Sequence, residues 1–460
     1  MMFFKSISEI SHLIRTRKLS VVELTQGILD RIDSMDSEFH SYIFVDHEGA
    51  LSVAQKLQAE IERGQWRGPL HGIPVAVKDI YSIAGQPFEL GMPSRVGKVA
   101  ESTATVVTRL EQAGAIVVGR LNLTEGVYSE HIPPFTTPKN PWAKDRWVGS
   151  SSSGSGVATA AGLAFGTLAS DTGGSIRIPA SCNGVTGLKP TWGRCSRSGV
   201  WDFAATLDHV GPMARSAIDT GLMLEAIAGY DAADPTSLSA SVPQFSSIRP
   251  GGLQGTTIGI DLEWGLQGVT AATQQALFDA IDVFAELGAE IVPIEFPDPT
   301  VIIDDWFKVC GVQAAHVTHD WFKDHRESYG GALTELLDLG LSVSAFEYQD
   351  LIRRRLEFTG KVKHAIETVD ALLIPGLPFE APLASDMVDM DEQKISDIHR
   401  FTVPFTMSQL PTITMPGGFS EEGLPVSVQL VGGSLSEATL VQLGASYQGV
   451  TDWHRRTPPC

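Results

Sequence analysis

The chain has 460 residues, 43% of them hydrophobic, and a formal net charge of −20. Such a length is ample for a large core and, taken alone, suggests two or three domains. The acidic balance argues against binding a nucleic-acid backbone, which needs clustered Lys and Arg; it reads as a solubility feature.

The N-terminal Met1-Met2-Phe3-Phe4-Lys5 runs straight into polar, helix-like sequence. It lacks the apolar core of a signal peptide. No run of about 18 apolar residues follows, so no membrane span is expected, and a cytoplasmic location is. Residues 6–35 read as two amphipathic helices, the second starting after Ser20 with Val21, Leu24, Ile28 and Ile32 on one stripe. Residues 47–63 read as a helix ending near Gly64. Gly68-Pro69-Leu70 then opens an apolar strand, Ile73, Val75, Ala76 and Val77, which ends in Lys78-Asp79. A helix over 103–114 and a short strand over 115–119 follow. This alternation implies an α/β sheet core.

Next come a tract of serine and glycine, Gly149-Ser150-Ser151-Ser152-Ser153-Gly154-Ser155-Gly156, and the segment Asp171-Thr172-Gly173-Gly174-Ser175-Ile176-Arg177-Ile178-Pro179. Each part has an ordinary reading. A lysine ending an apolar strand usually snorkels to the surface, a Ser/Gly tract is usually a linker, and a lone Gly-Gly-Ser is usually a turn. Their occurrence in order, each with matching neighbours, points instead to a Ser-Ser-Lys hydrolase site. A serine hydroxyl needs a base to become a nucleophile. A lysine is a base only when burial lowers its pKa and leaves it neutral. Glycines at 173 and 174 let the amides from Thr172 to Ser175 converge on one oxyanion.

Residues 231–257, rich in Ser, Pro and Asp, read as a long surface connection. A strand at 258–260, an amphipathic helix at 270–287 closed by Gly288, and a strand at 369–375 follow. The stretch between about 300 and 365 carries Trp306, Phe307, Trp321, Phe322, Phe346 and Tyr348. Aromatic walls suit a substrate pocket, so Trp306, Trp321 and Phe346, with Tyr128 as the alternative wall, are the pocket candidates. No internal repeat is present. Cys182, Cys195, Cys310 and Cys460 form no C-x-x-C pair, so neither a metal-thiolate site nor a disulfide framework is expected. His316, His319 and His325 have ligand-like spacing but read as surface or packing residues, and no metal or other cofactor is expected. The tract before the helix at 157–164 lacks a G-x-x-x-x-G-K-[ST] run, which argues against nucleotide binding.

The chain resembles the amidase signature family. The resemblance rests on Gly149 to Ser155, the small-residue stretch Val157 to Ala164, and the segment Asp171 to Pro179 with Gly184, Gly187, Lys189, Pro190 and Thr191 after it. It extends upstream to Gly72-Ile73-Pro74-Val75-Ala76-Val77-Lys78-Asp79. Downstream it includes Leu207-Asp208-His209-Val210-Gly211-Pro212-Met213-Ala214-Arg215, Leu410 to Pro416 and Gly423 to Leu430. The resemblance implies an α/β amidase signature fold, a central mixed twisted sheet covered by helices on both faces, in one domain over 1–460. Its core would span about 65–230 and 368–450, with a smaller variable region at about 255–365.

By position, the resemblance makes Ser175 the acyl-enzyme nucleophile, Ser151 the bridging serine and Lys78 the base. Thr172, Gly173, Gly174 and Ser175 would form the oxyanion hole. Ser152, Ser153, Asp171 and Arg177 would support them. It also implies a cis peptide bond at Ser150–Ser151, although the family usually has glycine or another small apolar residue at 150. The expected activity is hydrolysis of a small-molecule amide, bulky and apolar or aryl, with esters and carbamates also accessible. A homodimer is left open; nucleic acid and membrane are not expected partners. A related alternative is the amidase-type component of a glutamine-dependent tRNA amidotransferase. Leu339 to Phe346 lacks that component's R-x-x-L-G-T-Y-like stretch, and Ile398-His399-Arg400-Phe401 lacks its acidic residue. A non-catalytic scaffold on the same fold is the third reading, disfavoured by the complete trio.

Overall fold

The computed structural model describes residues 2–388 and 390–459. Among them, eleven strands join into one mixed sheet. In chain order they are β1 (Tyr42–Val45), β2 (Pro74–Lys78), β3 (Ile116–Leu121), β4 (Gly166–Asp171), β5 (Thr186–Lys189), β6 (His209–Ala214), β7 (Thr257–Ile260), β8 (Glu290–Pro293), β9 (Ala371–Pro375), β10 (Thr412–Phe419) and β11 (Pro425–Val431). Across the sheet the order is β1-β3-β2-β4-β6-β5-β10-β11-β9-β7-β8. Strands β2, β3 and β4 run parallel, as do β7, β8 and β9, while the middle of the sheet is antiparallel. Helices flank the sheet, and its central strands are covered on both faces. Every residue of β2, β4 and β11 is buried.

The expected elements appear with small shifts at their ends. The first two helices are Ile7–Arg15 and Val21–Phe39, each started by a serine that accepts a backbone N–H, Ser6 from Glu9 and Ser20 from Glu23. The helix expected at 103–114 is shorter, Thr105–Gln112. The connection at 231–257 is irregular, but it is not confined to the surface. Phe245 is fully buried, and a Cβ on Gly221 would lie 2.9 Å from its ring. A single anchor leaves no period in the sequence. The aromatic-rich stretch forms three helices, Thr300–Asp324, Gly331–Ser342 and Ala345–Ala365.

Cys182, Cys195 and Cys310 are buried free thiols, whose pKa burial pushes up. Cys460 lies outside the described residues, as does Met1 of the N-terminal stretch. His316 and His319 are exposed, and His325 stacks on Trp321. No described helix is long and apolar enough to cross a membrane.

The sheet positions the functional segments through strand direction. Parallel β2 and β4 pair with Val77 opposite Leu168, so their carboxyl ends emerge side by side. Open α/β sheets place ligands outside such ends. Lys78 closes β2 there, and β4 leads through Ser170 and Asp171 directly into Thr172-Gly173-Gly174-Ser175.

Candidate active site

The Ser/Gly tract is not a linker. It starts the helix Ser153–Ala160 and is buried from Ser151 onward. At Gly149 the backbone takes φ 77°, and a Cβ there would lie 2.7 Å from the backbone of Pro179. Glycine thus lets the tract pack against the nucleophile segment. The Ser150–Ser151 bond is cis.

Three hydroxyls surround the Lys78 amine: Ser151 Oγ at 2.7 Å, Ser152 Oγ at 3.0 Å and Ser170 Oγ at 3.0 Å. Lys78 is fully buried. Burial lowers its pKa to about 7, against the opposing pull of the Asp171 and Asp208 charges. Ser152 also donates its proton to the carbonyl of Ser170, at 3.2 Å. Ser153 pairs with His131 Nε2 at 2.9 Å. Ser170 is a partner that no sequence pattern marked, because its contact depends on the register of β2 against β4.

Ser175 is partly exposed, whereas Lys78 and Ser151 are buried. Among the described residues its hydroxyl makes no hydrogen bond, and none joins it to Ser151. Ser175 precedes the helix Arg177–Asn183. Gly174 before it has φ 143°, a conformation that side chains rarely adopt. The loop is held on several sides. Thr172 Oγ1 donates to Asp208 Oδ1 at 2.6 Å, and Asp208 also accepts the N–H groups of Phe203 and Ala204, each at 2.8 Å. Burial raises the Asp208 pKa to about 6 in spite of these hydrogen bonds.

Asp171 and Arg177 form a fully buried, two-pronged pair, with Nε to Oδ2 at 2.9 Å and a terminal nitrogen to Oδ1 at 2.8 Å. Burial would raise the Asp171 pKa. Arg177, with Lys189 and His209, instead holds it well below the usual carboxylate range. Arg177 further donates to Thr402 O at 2.7 Å and Thr406 Oγ1 at 2.8 Å, tying the nucleophile helix to the C-terminal part of the chain. Removing one partner of a buried ion pair leaves an uncompensated charge and costs about 3–5 kcal/mol. Arg177→Met is therefore expected to lower the unfolding free energy by about that amount, read by urea denaturation. A loss below about 1 kcal/mol would show that the pair does not hold this loop.

The four pocket candidates fare differently. Trp306 is buried and donates its indole N–H to Thr172 O at 2.8 Å. Tyr128 is half-buried and stacks on Phe203, ring centres 6.2 Å apart. Phe346 is 89% exposed, and Trp321, 41% exposed, lies against His325. Phe346 follows the start of the helix Ala345–Ala365, and Trp321 lies near the far end of the helix that carries Trp306. Aromatic content alone does not say which ring turns inward.

The family model described as Amidase matches residues 23–441. AmiD of Mycobacterium tuberculosis, a putative amidase, is 39% identical over 457 residues, covering 98% of this chain and 95% of that protein. A glutamyl-tRNA(Gln) amidotransferase component of Trichlorobacter lovleyi is 34% identical over 482 residues, covering 99% of both chains. Among solved structures, the native peptide amidase from Stenotrophomonas maltophilia is similar with a TM-score of 0.85 at 26% identity, covering 99% of this chain and 98% of that one. Family, whole-length relatives and fold agree: the chain belongs to the amidase signature family, whose members hydrolyse amide C–N bonds.

Proposed function

We propose that this protein is a stand-alone amidase in which Ser175 attacks the amide carbonyl, Ser151 passes the proton on, and Lys78 receives it. The observation that carries this reading is the buried Lys78 amine, its pKa near 7, within 2.7 Å of Ser151 Oγ. A neutral amine has two N–H bonds and one lone pair. Ser152 already gives its proton to Ser170 O, so it serves Lys78 as an acceptor. With Ser170 Oγ accepting the second N–H at 3.0 Å, Ser151 is left to direct its proton at the lysine lone pair. Its own oxygen then accepts the proton of Ser175 once substrate brings the two hydroxyls together. As Ser175 Oγ bonds to the carbonyl carbon, loop amides between Thr172 and Ser175 hold the oxyanion. Collapse expels the amine, which takes the proton back from Lys78 through Ser151. Water repeats the sequence on the acyl-enzyme and releases the acid.

The proposed substrates are bulky apolar or aryl amides, with esters and carbamates open to the same chemistry. Trp306 and Tyr128 are the candidate aromatics that remain inward-facing near the loop, and burying a large apolar group is worth about 1.5–3 kcal/mol. A panel of anilides, aliphatic amides, glutamine, esters and carbamates is expected to show kcat/KM at least about tenfold higher for aryl amides than for acetamide or glutamine. Equal rates across the panel would remove the aromatic-pocket reading. A fluorophosphonate is expected to label Ser175, as mapped by peptide mass spectrometry. An adduct on another residue would sink the nucleophile assignment, and no adduct would favour a non-catalytic scaffold.

The 34% identical amidotransferase relative keeps a second reading open, in which the chain works with partner proteins. Copurification of the native protein with such a partner, together with glutamine turnover, would favour it.

A further inference from the structure

We propose that Trp306 and Thr402 are positioning residues that aim the amides of the oxyanion loop. The proposal rests on Thr172 to Ser175 serving as that loop. In a trans peptide the C=O of one residue and the N–H of the next share a plane and point in opposite directions. Fixing a carbonyl therefore fixes the following amide.

Trp306 Nε1 donates to Thr172 O at 2.8 Å, which sets the direction of the Gly173 N–H. Thr402 Oγ1 donates to Gly173 O at 2.7 Å, which sets the direction of the Gly174 N–H. Each amide is turned away from its donor. Consecutive glycines are the part of the loop most free to swing, since neither has a side chain to restrain it. The two donors supply that restraint from outside.

The fit is close at both positions. A Cβ on Gly173 would lie 2.2 Å from Cζ2 of Trp306, and one on Gly174 would lie 2.9 Å from Thr402 Oγ1. The donors are themselves fixed and share a neighbour in His399. Its ring packs on Trp306 with centres 5.0 Å apart, and its carbonyl accepts the Thr402 N–H at 3.0 Å. Thr402 O in turn accepts from Arg177 at 2.7 Å, which joins this support to the nucleophile helix. Trp306 comes from the aromatic-rich helix and Thr402 from the C-terminal part of the chain. The loop amides are thus aimed by two segments far apart in sequence.

Preorganised amides matter in the transition state, where the oxyanion forms, and little in the ground state. Trp306→Phe keeps most of the ring and removes the donor. Thr402→Val keeps the shape and removes the hydroxyl, and Thr402→Ser keeps the hydroxyl. Trp306→Phe and Thr402→Val are each expected to lower kcat by about 10- to 100-fold with KM changed less than about threefold. Both are expected to weaken, in parallel, the binding of an arylboronic acid that forms a tetrahedral adduct on the serine. Thr402→Ser is expected to restore kcat to within about threefold.

Unchanged kcat and boronate affinity in Thr402→Val would overturn the proposal, even if Trp306→Phe proved too unstable to assay. So would a rise in KM alone for Trp306→Phe, which marks a pocket wall. Normal fluorophosphonate labelling of Ser175 beside unchanged kcat in these variants rejects the positioning role and leaves the nucleophile reading intact. Labelling elsewhere in the unchanged protein rejects the nucleophile reading itself.

Discussion

Ser175→Ala is expected to lower kcat/KM for the best amide substrate by about five orders of magnitude, the scale seen when a covalent nucleophile is removed. The thermal midpoint is expected to stay close to that of the unchanged protein. Ser175 is only partly buried, and its hydroxyl makes no hydrogen bond among the described residues, so its removal leaves no partner stranded. The variant is also expected to lose fluorophosphonate labelling. Turnover within about tenfold of the original would reassign the nucleophile. Ser151 would be the first replacement to test, because it is bound directly to Lys78.

Lys78 should produce the second-largest effect and a distinct pH signature. The neutral amine is the base, and burial lowers its pKa to about 7. Below that pH the amine is protonated and cannot accept a proton. The logarithm of kcat/KM is therefore expected to fall with unit slope on the acid side of about pH 7 and to level off above it. The direction follows from the sign of the shift: an unshifted lysine would push the same limb above pH 10, near its ordinary value of 10.5. Lys78→Met keeps an unbranched, apolar side chain in the same burial and removes the base. It is expected to lower kcat by about 10²–10⁴-fold and to abolish the acid limb. A profile flat between about pH 5.5 and pH 9 would separate Lys78 from the proton transfer, as would near-normal turnover in the variant.

Some of the site could be read directly along the chain. The strand ending in Lys78 is a continuous apolar run, and such runs are buried on both faces of a parallel sheet. The run by itself places a lysine in an apolar setting. Gly173, Gly174 and Ser175 form a continuous segment, so their adjacency needed no fold. The same holds for Asp171 and Arg177, six positions apart and joined in the structure by two hydrogen bonds.

Other contacts had no local trace. Ser170 reaches Lys78 across 92 positions, and only the pairing of β2 with β4 decides that. Thr402 reaches Gly173 O across 229 positions, and Trp306 reaches Thr172 O across 134. Aromatic density pointed to the 300–350 stretch as a whole, yet Trp306 is buried and Phe346 is 89% exposed. The rotational phase of a helix against its neighbours decides which ring turns inward, and an aromatic-rich stretch with charges on several sides does not declare that phase. By itself, then, the sequence determined the groups whose chemistry depends on near neighbours: an apolar strand with a terminal lysine, a serine tract, and a glycine-serine loop with its ion pair. Only the tertiary structure decided what surrounds them, because strand register and helix packing bring together side chains that the chain keeps tens to hundreds of residues apart.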